Sequence, residues 1–299
     1  MDMSAASNES GERQGRSSRV LALSSQVVRG HVGLSAAVPV LQRLGHEVGA
    51  MPTVLLSHHP GRGPIAGRAV DPADLANIVD VLEASGWLAG VDAVLTGYLP
   101  SAEHVAVATD TIERVRRSRR QAFIVVDPIL GDDPKGLYIA TDAAEAIRDR
   151  LLPLADVATP NRMELAYLTG RQVTGVDTAA RALECLASGG GLAPSLPAGD
   201  AEIANVLSAG PALAVTRVAR RAHVAHGTGD LMTALWLGHV LAGCSLGKAL
   251  GLATAGVDAV LQGSEGADEL ALTPALARLD TLLPWEVQNK GLQTGLTKS

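Results

Sequence analysis

A short glycine-rich segment ahead of an apolar helix is the part of the sequence best suited to phosphate chemistry. Gly227, Thr228 and Gly229 precede Asp230, and the apolar run LMTALWLGHVLAG follows. Glycines at a helix start let backbone N–H groups converge on one spot, where the helix dipole adds positive potential. A carboxylate there can accept a proton from an attacking hydroxyl. The alternative is a glycine turn with an aspartate cap, which we favour on these four residues alone.

A second carboxylate stands at the end of a strand-like run. Asp127, in VVDPILGD, directly follows the apolar residues 122–126. Ligands of open α/β sheets bind beyond the carboxyl ends of the strands. This position favours a cation or phosphate site over a plain strand-ending turn.

A third segment, TPNRMEL, combines an amide and a carboxylate three residues apart. At a helix start Asn161 and Glu164 share one face. The pair predicts a capping box, which wins in isolation, or water-mediated binding of Mg²⁺, an ion that needs only one or two carboxylates.

Hydroxyls and glycines also follow the first strand-like run, in SSQVVRGHVG from Ser24 to Gly33. Such a strand exit can hold a small polar substrate, or it is only a flexible connection. The adjacent His58 and His59 do not suit a metal pair, because neighbouring side chains of a strand face opposite ways.

These segments need a scaffold in which strands and helices alternate. Apolar runs predict strands at 20–24, 48–56, 93–96, 122–126, 157–159 and 212–216, several of them buried on both faces as in parallel sheets. Helical periodicity covers 35–44, 72–85, 102–117, 141–152, 162–168, 178–187, 228–241, 245–262 and 273–283. Residues 188–200, SGGGLAPSLPAGD, are predicted as a Gly/Pro loop.

The alternation predicts an α/β fold with a doubly wound, mostly parallel central sheet and helices on both faces. We expect one domain over residues 19–283. The polar residues 1–18 are predicted to be a disordered tail, and residues 284–299 a flexible C-terminal tail.

Composition excludes several classes of protein. The 299 residues carry 25 Lys and Arg against 31 Asp and Glu, a net charge of −6, which argues against general electrostatic binding of nucleic acid. Two cysteines cannot build a disulfide scaffold or a four-cysteine zinc site. No apolar run reaches the roughly 18 residues of a membrane span, and the N-terminus lacks a secretory pattern. We therefore expect a cytoplasmic protein without nucleic-acid or membrane partners.

Five segments taken in order resemble the ribokinase-like superfamily and, within it, the pyridoxal kinases. They are SSQVVRGHVG, VLTGYLPSAEH, VVDPILGDDPKGLYI, TPNRMELAYLTG and GTGDLMTALWLG. The resemblance runs from about Arg19 to about Leu283. It implies a ribokinase-like kinase that uses ATP and Mg²⁺, with K⁺ as a possible further cation, and that forms a homodimer.

The resemblance also implies a role for each matching residue. Asp230 would be the base for the 5′-hydroxymethyl group of the substrate, pyridoxal. The other implied roles are an anion hole of Gly227, Thr228 and Gly229, substrate contacts from Ser25 and Tyr98, nucleotide phosphates at Asp127 and Thr216, and Mg²⁺ held at Asp127, Asn161 and Glu164.

The sequence departs from the family pattern at several positions. Gln26 and Leu34 replace a His and an Asn of the first motif, and Pro60 replaces a substrate-side hydroxyl. Only ten residues separate Thr216 from Gly227, where relatives have a longer β-hairpin that helps form the nucleotide site. The segment 217–226 is therefore expected to form little more than one short strand.

Three functions compete. The first is an ATP-dependent kinase that converts pyridoxal to pyridoxal 5′-phosphate. The second keeps the chemistry on another substrate, as a hydroxymethylpyrimidine or sugar kinase. The third is a non-catalytic vitamin B6-binding protein on the same fold, against which the four residues Asp127, Asn161, Glu164 and Asp230 argue.

Overall fold

A computed structural model describes residues 17–210 and 212–291. The strands are β1 Arg19–Val27, β2 Glu47–Leu56, β3 Gly67–Ala69, β4 Ala93–Thr96, β5 Phe123–Val126, β6 Gly131–Asp132, β7 Gly136–Leu137, β8 Val157–Ala158, β9 Gly190–Pro197, β10 Glu202–Ala209, β11 Ala212–Ala219 and β12 Gln288–Gly291. The helices are α1 Leu34–Arg43, α2 Pro72–Ala84, α3 Ala102–Ser118, α4 Thr141–Ala146, α5 Arg162–Thr169, α6 Val176–Leu183, α7 Thr228–Leu241, α8 Leu246–Gly263 and α9 Leu272–Leu276.

Ten strands form one sheet in the order β12-β11-β10-β9-β8-β5-β4-β1-β2-β3. The six strands from β9 to β2 are mutually parallel. Antiparallel strands extend the sheet at both ends, with β3 beside β2 and the meander β10, β11 and β12 beyond β9. The predicted mostly parallel sheet is confirmed, and its parallel strands all direct their carboxyl ends to one edge.

Helices cover both faces of the sheet, as predicted. Leu21 and Leu23 of β1 point into a core shared with α2 to α6, whereas Val20 and Ala22 point into a core shared with α1, α7, α8 and α9. Aliphatic residues supply most of both cores, in keeping with an aromatic content of 2%. Trp236 in α7 is fully buried and lies 6.2 Å from the Phe123 ring. None of the helices in the described ranges has the length and hydropathy that crossing a bilayer requires.

Several predicted segments differ from the structure. The helix predicted at 273–283 ends at Leu276, and strand β10 was not predicted. The loop predicted at 188–200 is wrong, because residues 190–197 form β9, which pairs in parallel with β8 and antiparallel with β10. In the C-terminal tail predicted to be flexible from residue 284, residues 285–291 contact the rest of the domain. The Trp285 N–H donates to the Gly251 carbonyl at 2.9 Å, and β12 pairs with β11. Of the tail predicted at 1–18, residues 1–16 lie outside the described residues.

Candidate active site

The carboxyl ends of the parallel strands surround a small cavity. Its lining includes Ser24 of β1, Gly97 after β4 and Asp127 after β5, with Asp230 and Thr233 of α7 opposite. The Thr96 hydroxyl at the end of β4 also lines this cavity, is fully buried, and has no hydrogen-bond partner among the described residues. A buried polar atom without a partner is rare, and in a cavity it marks a place for a ligand or water.

The start of α7 has the geometry of an anion site. Gly227 is the N-cap residue, with φ 103°, and has no side chain with which to cap the helix. A Cβ there would lie 1.9 Å from the His31 carbonyl oxygen, so no larger residue fits without a shift. Gly229 faces open space. The start of α7 therefore has no side-chain cap and has room for an anion, and the anion hole of Gly227, Thr228 and Gly229 stays a prediction.

Asp230 stands in the first turn of this helix. Desolvation raises the pKa of its carboxyl from 3.8 to about 6, although the N–H groups of Gly33 and of Asp230 itself act in the opposite direction. Gly33 begins α1 and lies against Ser25, because a Cβ on Gly33 would be 2.3 Å from the Ser25 hydroxyl oxygen. A carboxylate whose pKa lies near neutrality suits proton transfer at physiological pH.

Asp127 is the second carboxylate of the cavity and is buried, with 7% of its surface exposed. The Thr233 hydroxyl lies 3.3 Å from one Asp127 oxygen and 3.0 Å from the Thr159 hydroxyl. Desolvation, followed by the charges of Asp230 and Glu164, raises the pKa of Asp127 well above its ordinary value. Like charges gathered in this way favour a cation between them.

Asn161 and Glu164 form the capping box of α5, one of the two predicted alternatives. The Asn161 side chain accepts from the Glu164 N–H, and the Glu164 carboxylate accepts from the Asn161 N–H, each at 2.9 Å. Glu164 is 2% exposed, and it also accepts from the backbone of Leu130 and Gly131. Its oxygens are thus engaged by backbone groups, and a metal-binding role for this pair stays a prediction.

On the substrate side, Ser24 lies inside the cavity rather than Ser25. Neighbouring side chains of a strand face opposite ways, so Ser24 lines the cavity and Ser25 does not; the adjacent register shift leaves Thr53 of β2 without a partner in β1. The Ser24 hydroxyl accepts from the Tyr98 N–H at 3.1 Å, so the Tyr98 backbone borders the site. The half-buried Tyr98 ring packs against the core shared with α2 to α6. Sequence reasoning chose Ser25, because the letters SSQVV do not show which of two neighbouring serines faces the cavity.

Thr216 lies away from the cavity, and its predicted contact with nucleotide phosphates is not supported. Its side chain is fully buried, and its hydroxyl lies 2.9 Å from that of Thr254 in α8 and 3.2 Å from the Asn205 amide nitrogen. Thr216 belongs to β11, the second strand of the hairpin that β10 and β11 form. The segment 217–226 contains only the last three residues of β11, as expected.

Strand β9 is the last of the parallel strands. Ser195, near the carboxyl end of β9, is exposed. Ser195 has φ 57°, an uncommon conformation for a residue other than glycine, and its N–H donates to the Asn205 side chain at 3.0 Å. It lies at the register shift between β9 and β10. Its only sequence signal is the dipeptide Pro194-Ser195, read as part of a loop.

A cleft opens beside the glycine segment. Arg221, His223, Ala225, Leu261 and Glu265 line it, and Ala225 stands two residues before Gly227. Arg221 pairs with Asp258 at 2.8 Å and with Glu265 at 3.0 Å. Arg221, one of the basic residues before Gly227, is therefore held in place by two carboxylates.

Two histidines meet at the entrance to the glycine segment. The rings of His59 and His226 stack with centroids 4.0 Å apart. Burial, followed by the charge of His226, lowers the pKa of His59 to about 4, and burial also lowers the pKa of His226. Sequence reasoning missed this pair, because it joins residues 167 positions apart. Within the described residues, no group of three or more His, Cys, Asp or Glu side chains forms a metal site.

Comparison with known proteins relates this geometry to a family. The family model for phosphomethylpyrimidine kinase matches residues 55–271. The chain is 36% identical over 273 residues to pyridoxal kinase PdxY of Rubrobacter xylanophilus, covering 88% of this chain and 93% of that protein. It is 38% identical over 239 residues to the pyridoxine/pyridoxal/pyridoxamine kinase of Bordetella avium, covering 77% of this chain and 80% of that protein.

Solved structures agree. Pyridoxal kinase from Leishmania donovani in complex with ADP and pyridoxamine has a TM-score of 0.86 at 27% identity, covering 91% of this chain and 99% of that one. The predicted ribokinase-like fold is confirmed, and so is the resemblance drawn from the five motifs. The chain belongs to the pyridoxal kinase family.

Proposed function

We propose that the protein transfers the γ-phosphoryl group of ATP to the 5′-hydroxymethyl group of pyridoxal, giving pyridoxal 5′-phosphate and ADP. The observation that carries this proposal is the start of α7. There, the Asp230 carboxylate lines a cavity with Ser24 and Gly97, and the glycine segment before it leaves the start of the same helix without a side-chain cap. The relatives reported above are kinases for pyridoxal and related compounds.

In this reaction the pyridoxal hydroxyl oxygen attacks the γ-phosphorus, and the bond between that phosphorus and the bridging oxygen to the β-phosphate breaks. Asp230 takes the hydroxyl proton, which its raised pKa permits at neutral pH. The N–H groups that begin α7 stabilise the charge on the transferring phosphoryl oxygens. The carboxylate and the anion hole belong to the same helical turn, so the proton acceptor and the phosphate site are held at a fixed separation.

The nucleotide is assigned to the β9 side of Gly227. Its phosphates would extend from the start of α7 toward Ser195, and its base would occupy the cleft between Arg221 and Leu261. Ser195 replaces Thr216 in this assignment because Thr216 is enclosed by Asn205 and Thr254.

Mg²⁺ fits the cavity carboxylates. Asp127 is buried beside Asp230, and its pKa is strongly raised. A divalent cation bound there would offset the repulsion between the Asp127 and Asp230 carboxylates. Mg²⁺ needs only one or two protein carboxylates and takes its other ligands from phosphate and water. When bound, it would neutralise charge on the ATP phosphates. The requirement for K⁺ stays a prediction.

The substrate would lie between Ser24, Gly97 and Asp230, with the unpartnered Thr96 hydroxyl below. A second candidate is hydroxymethylpyrimidine, because the family model that matches is named for phosphomethylpyrimidine kinase. Both compounds present a hydroxymethyl group on a flat heteroaromatic ring, so only a direct comparison of rates separates them.

We also propose a homodimer in the cytoplasm. Supporting the dimer, strand β3 ends the sheet with all three residues exposed, beside the partly exposed apolar side chains of Leu55 and Ile65. An exposed sheet edge is a ready pairing surface. Light scattering tests the dimer, and a monomer at all working concentrations would refute it.

The experiment for function is a substrate panel. Purified protein with Mg²⁺ and ATP is given pyridoxal, pyridoxine, pyridoxamine, hydroxymethylpyrimidine or a sugar, and ADP release is followed. We expect the highest kcat/KM with pyridoxal. A preference for hydroxymethylpyrimidine would establish the second candidate. Binding of pyridoxal without ADP release from any compound would indicate a non-catalytic vitamin B6-binding protein.

A further inference from the structure

The Glu164 carboxylate links helix α5 to the turn that follows β5. One oxygen accepts from the N–H groups of Leu130 at 2.8 Å and Gly131 at 3.3 Å, and the other accepts from the Asn161 N–H at 2.9 Å. Asn161 completes the link, since its amide donates to the Gly131 carbonyl at 2.8 Å. A buried carboxylate that accepts three backbone N–H groups is a strong local tether.

The tethered turn contains a backbone conformation that its residue disfavours. Ile129 has φ 41°, and a β-branched residue in this region is a genuine outlier. Strained residues of this kind persist only where their surroundings hold them, and they concentrate at functional sites. Glu164 engages the next two N–H groups along the chain.

The strained conformation has a consequence for the cavity. The Ile129 side chain lies against Gly97, where a Cβ would be 3.2 Å from its terminal carbon, and Gly97 lines the cavity with Asp127 and Asp230. The Asp127 N–H donates to the Thr96 carbonyl at 2.9 Å, which fixes the start of the same turn. The turn is thus held at Asp127 by β4 and at Leu130 and Gly131 by Glu164, with the strained Ile129 between.

We propose that Glu164 is a positioning residue, which acts on the reaction by holding the strained Ile129 turn and thereby the Asp127 carboxylate. This inference rests on the proposed kinase function. It differs from the metal-binding role predicted from the sequence, because Glu164 acts here through the backbone of the Ile129 turn and not through a cation.

A double-variant comparison separates the two roles. Glu164→Gln keeps the side-chain shape but replaces one acceptor oxygen with an NH₂ group, so it cannot serve both Asn161 and the turn. In the parent background we expect kcat to fall about 10-fold or more. In the Ile129→Gly background the same substitution should cost about 3-fold or less, because glycine adopts a positive φ without strain. The Mg²⁺ concentration for half-maximal rate should not change.

Equal losses in both backgrounds, together with a raised Mg²⁺ requirement, would overturn the proposal in favour of a metal-binding Glu164. Glu145→Gln is the matched control, since Glu145 is an exposed glutamate of α4. If Glu164→Gln does not fold, Asn161→Ala tests the same tether through the lost bond to the Gly131 carbonyl.

Hydrogen exchange gives a readout that does not depend on activity. In the protein without ligands, we expect the amides of Leu130 and Gly131 to exchange about 10-fold faster or more in Glu164→Gln than in the parent. Unchanged exchange at both amides would overturn the tether. A parent that phosphorylates nothing, yet shows the faster exchange in the variant, would refute the kinase proposal and leave the tether standing.

Discussion

Helices α5 and α7 both begin at the carboxyl edge of the sheet with an acidic residue in the first turn. At α5 the helix start is closed, because Asn161 caps it and the Glu164 carboxylate is 2% exposed with backbone partners on both oxygens. At α7 the start is open, because the N-cap Gly227 has no side chain and Asp230 faces the cavity. In the proposed mechanism the open start of α7 is therefore available to an anion, whereas the closed start of α5 is not.

The largest expected effect comes from filling the open helix start. Gly227→Ala places a Cβ 1.9 Å from the His31 carbonyl oxygen at φ 103°, so the glycine segment must move. We expect kcat to fall roughly 10²-fold or more, as for the loss of an anion-hole donor. Gly45→Ala is the control, because Gly45 also has a positive φ, at 90°, but nothing lies within 4 Å. Comparable kcat losses in both variants would show that backbone strain, and not the helix start, is responsible.

The pH dependence should separate activity from stability. Protonation of Asp230 near pH 6 removes the base, so kcat/KM should fall about tenfold for each pH unit below that value. Stability should change in the opposite direction. The pKa values of Asp127, Glu164 and Asp230 are all raised on folding, that of Glu164 to about 7, so the folded chain binds more protons than the unfolded one.

The melting temperature should therefore rise as the pH falls from 8 toward 6.5. Below that range His59 and His226, whose pKa values are lowered by burial, act in the opposite direction, and kcat/KM declines as Asp230 is protonated. Thermal unfolding and initial rates in matched buffers check both curves. A melting temperature that falls steadily from pH 8 to pH 6.5 would contradict the raised pKa values.

The smallest expected effects concern the hydroxyl groups of Thr216 and Ser195, the two candidates for contact with the nucleotide phosphates. Thr216→Val breaks a buried network with Asn205 and Thr254, and we expect it to cost about 1–3 kcal/mol of stability without changing the KM for ATP. Ser195→Ala should leave stability unchanged and raise that KM about 2- to 10-fold, the equivalent of one hydrogen bond. Urea unfolding and ATP titrations measure both. A raised KM in Thr216→Val alone would restore the original assignment.

Much of the fold could be predicted because burial on both faces and helical periodicity are local signals. The strand 93–96 and the helix 228–241 have the predicted bounds. Strand β9 was missed because its two glycines and two prolines, in GGLAPSLP, resemble a loop, although pairing with β8 and β10 extends it. Strand β12 was missed because only its pairing with β11 gives it structure.

The site was predictable in its segments but not in its atoms. Motif order placed Asp127 and Asp230 correctly on one cavity. The choice of Ser24 over Ser25 depends on which face of β1 borders the cavity, and Thr216 faces α8 because of its pairing opposite Asn205. Such features depend on how strands pair, which no single segment encodes.

The most direct measurement is the formation of pyridoxal 5′-phosphate from pyridoxal, Mg²⁺ and ATP, followed by absorbance in the parent and in Asp230→Asn. Asparagine also suits a helix start, so the variant should fold and melt no lower than the parent at neutral pH. We predict turnover by the parent and a kcat lowered roughly 10²-fold or more in the variant. Turnover within a few-fold of the parent would remove Asp230 from its role as base and contradict the account.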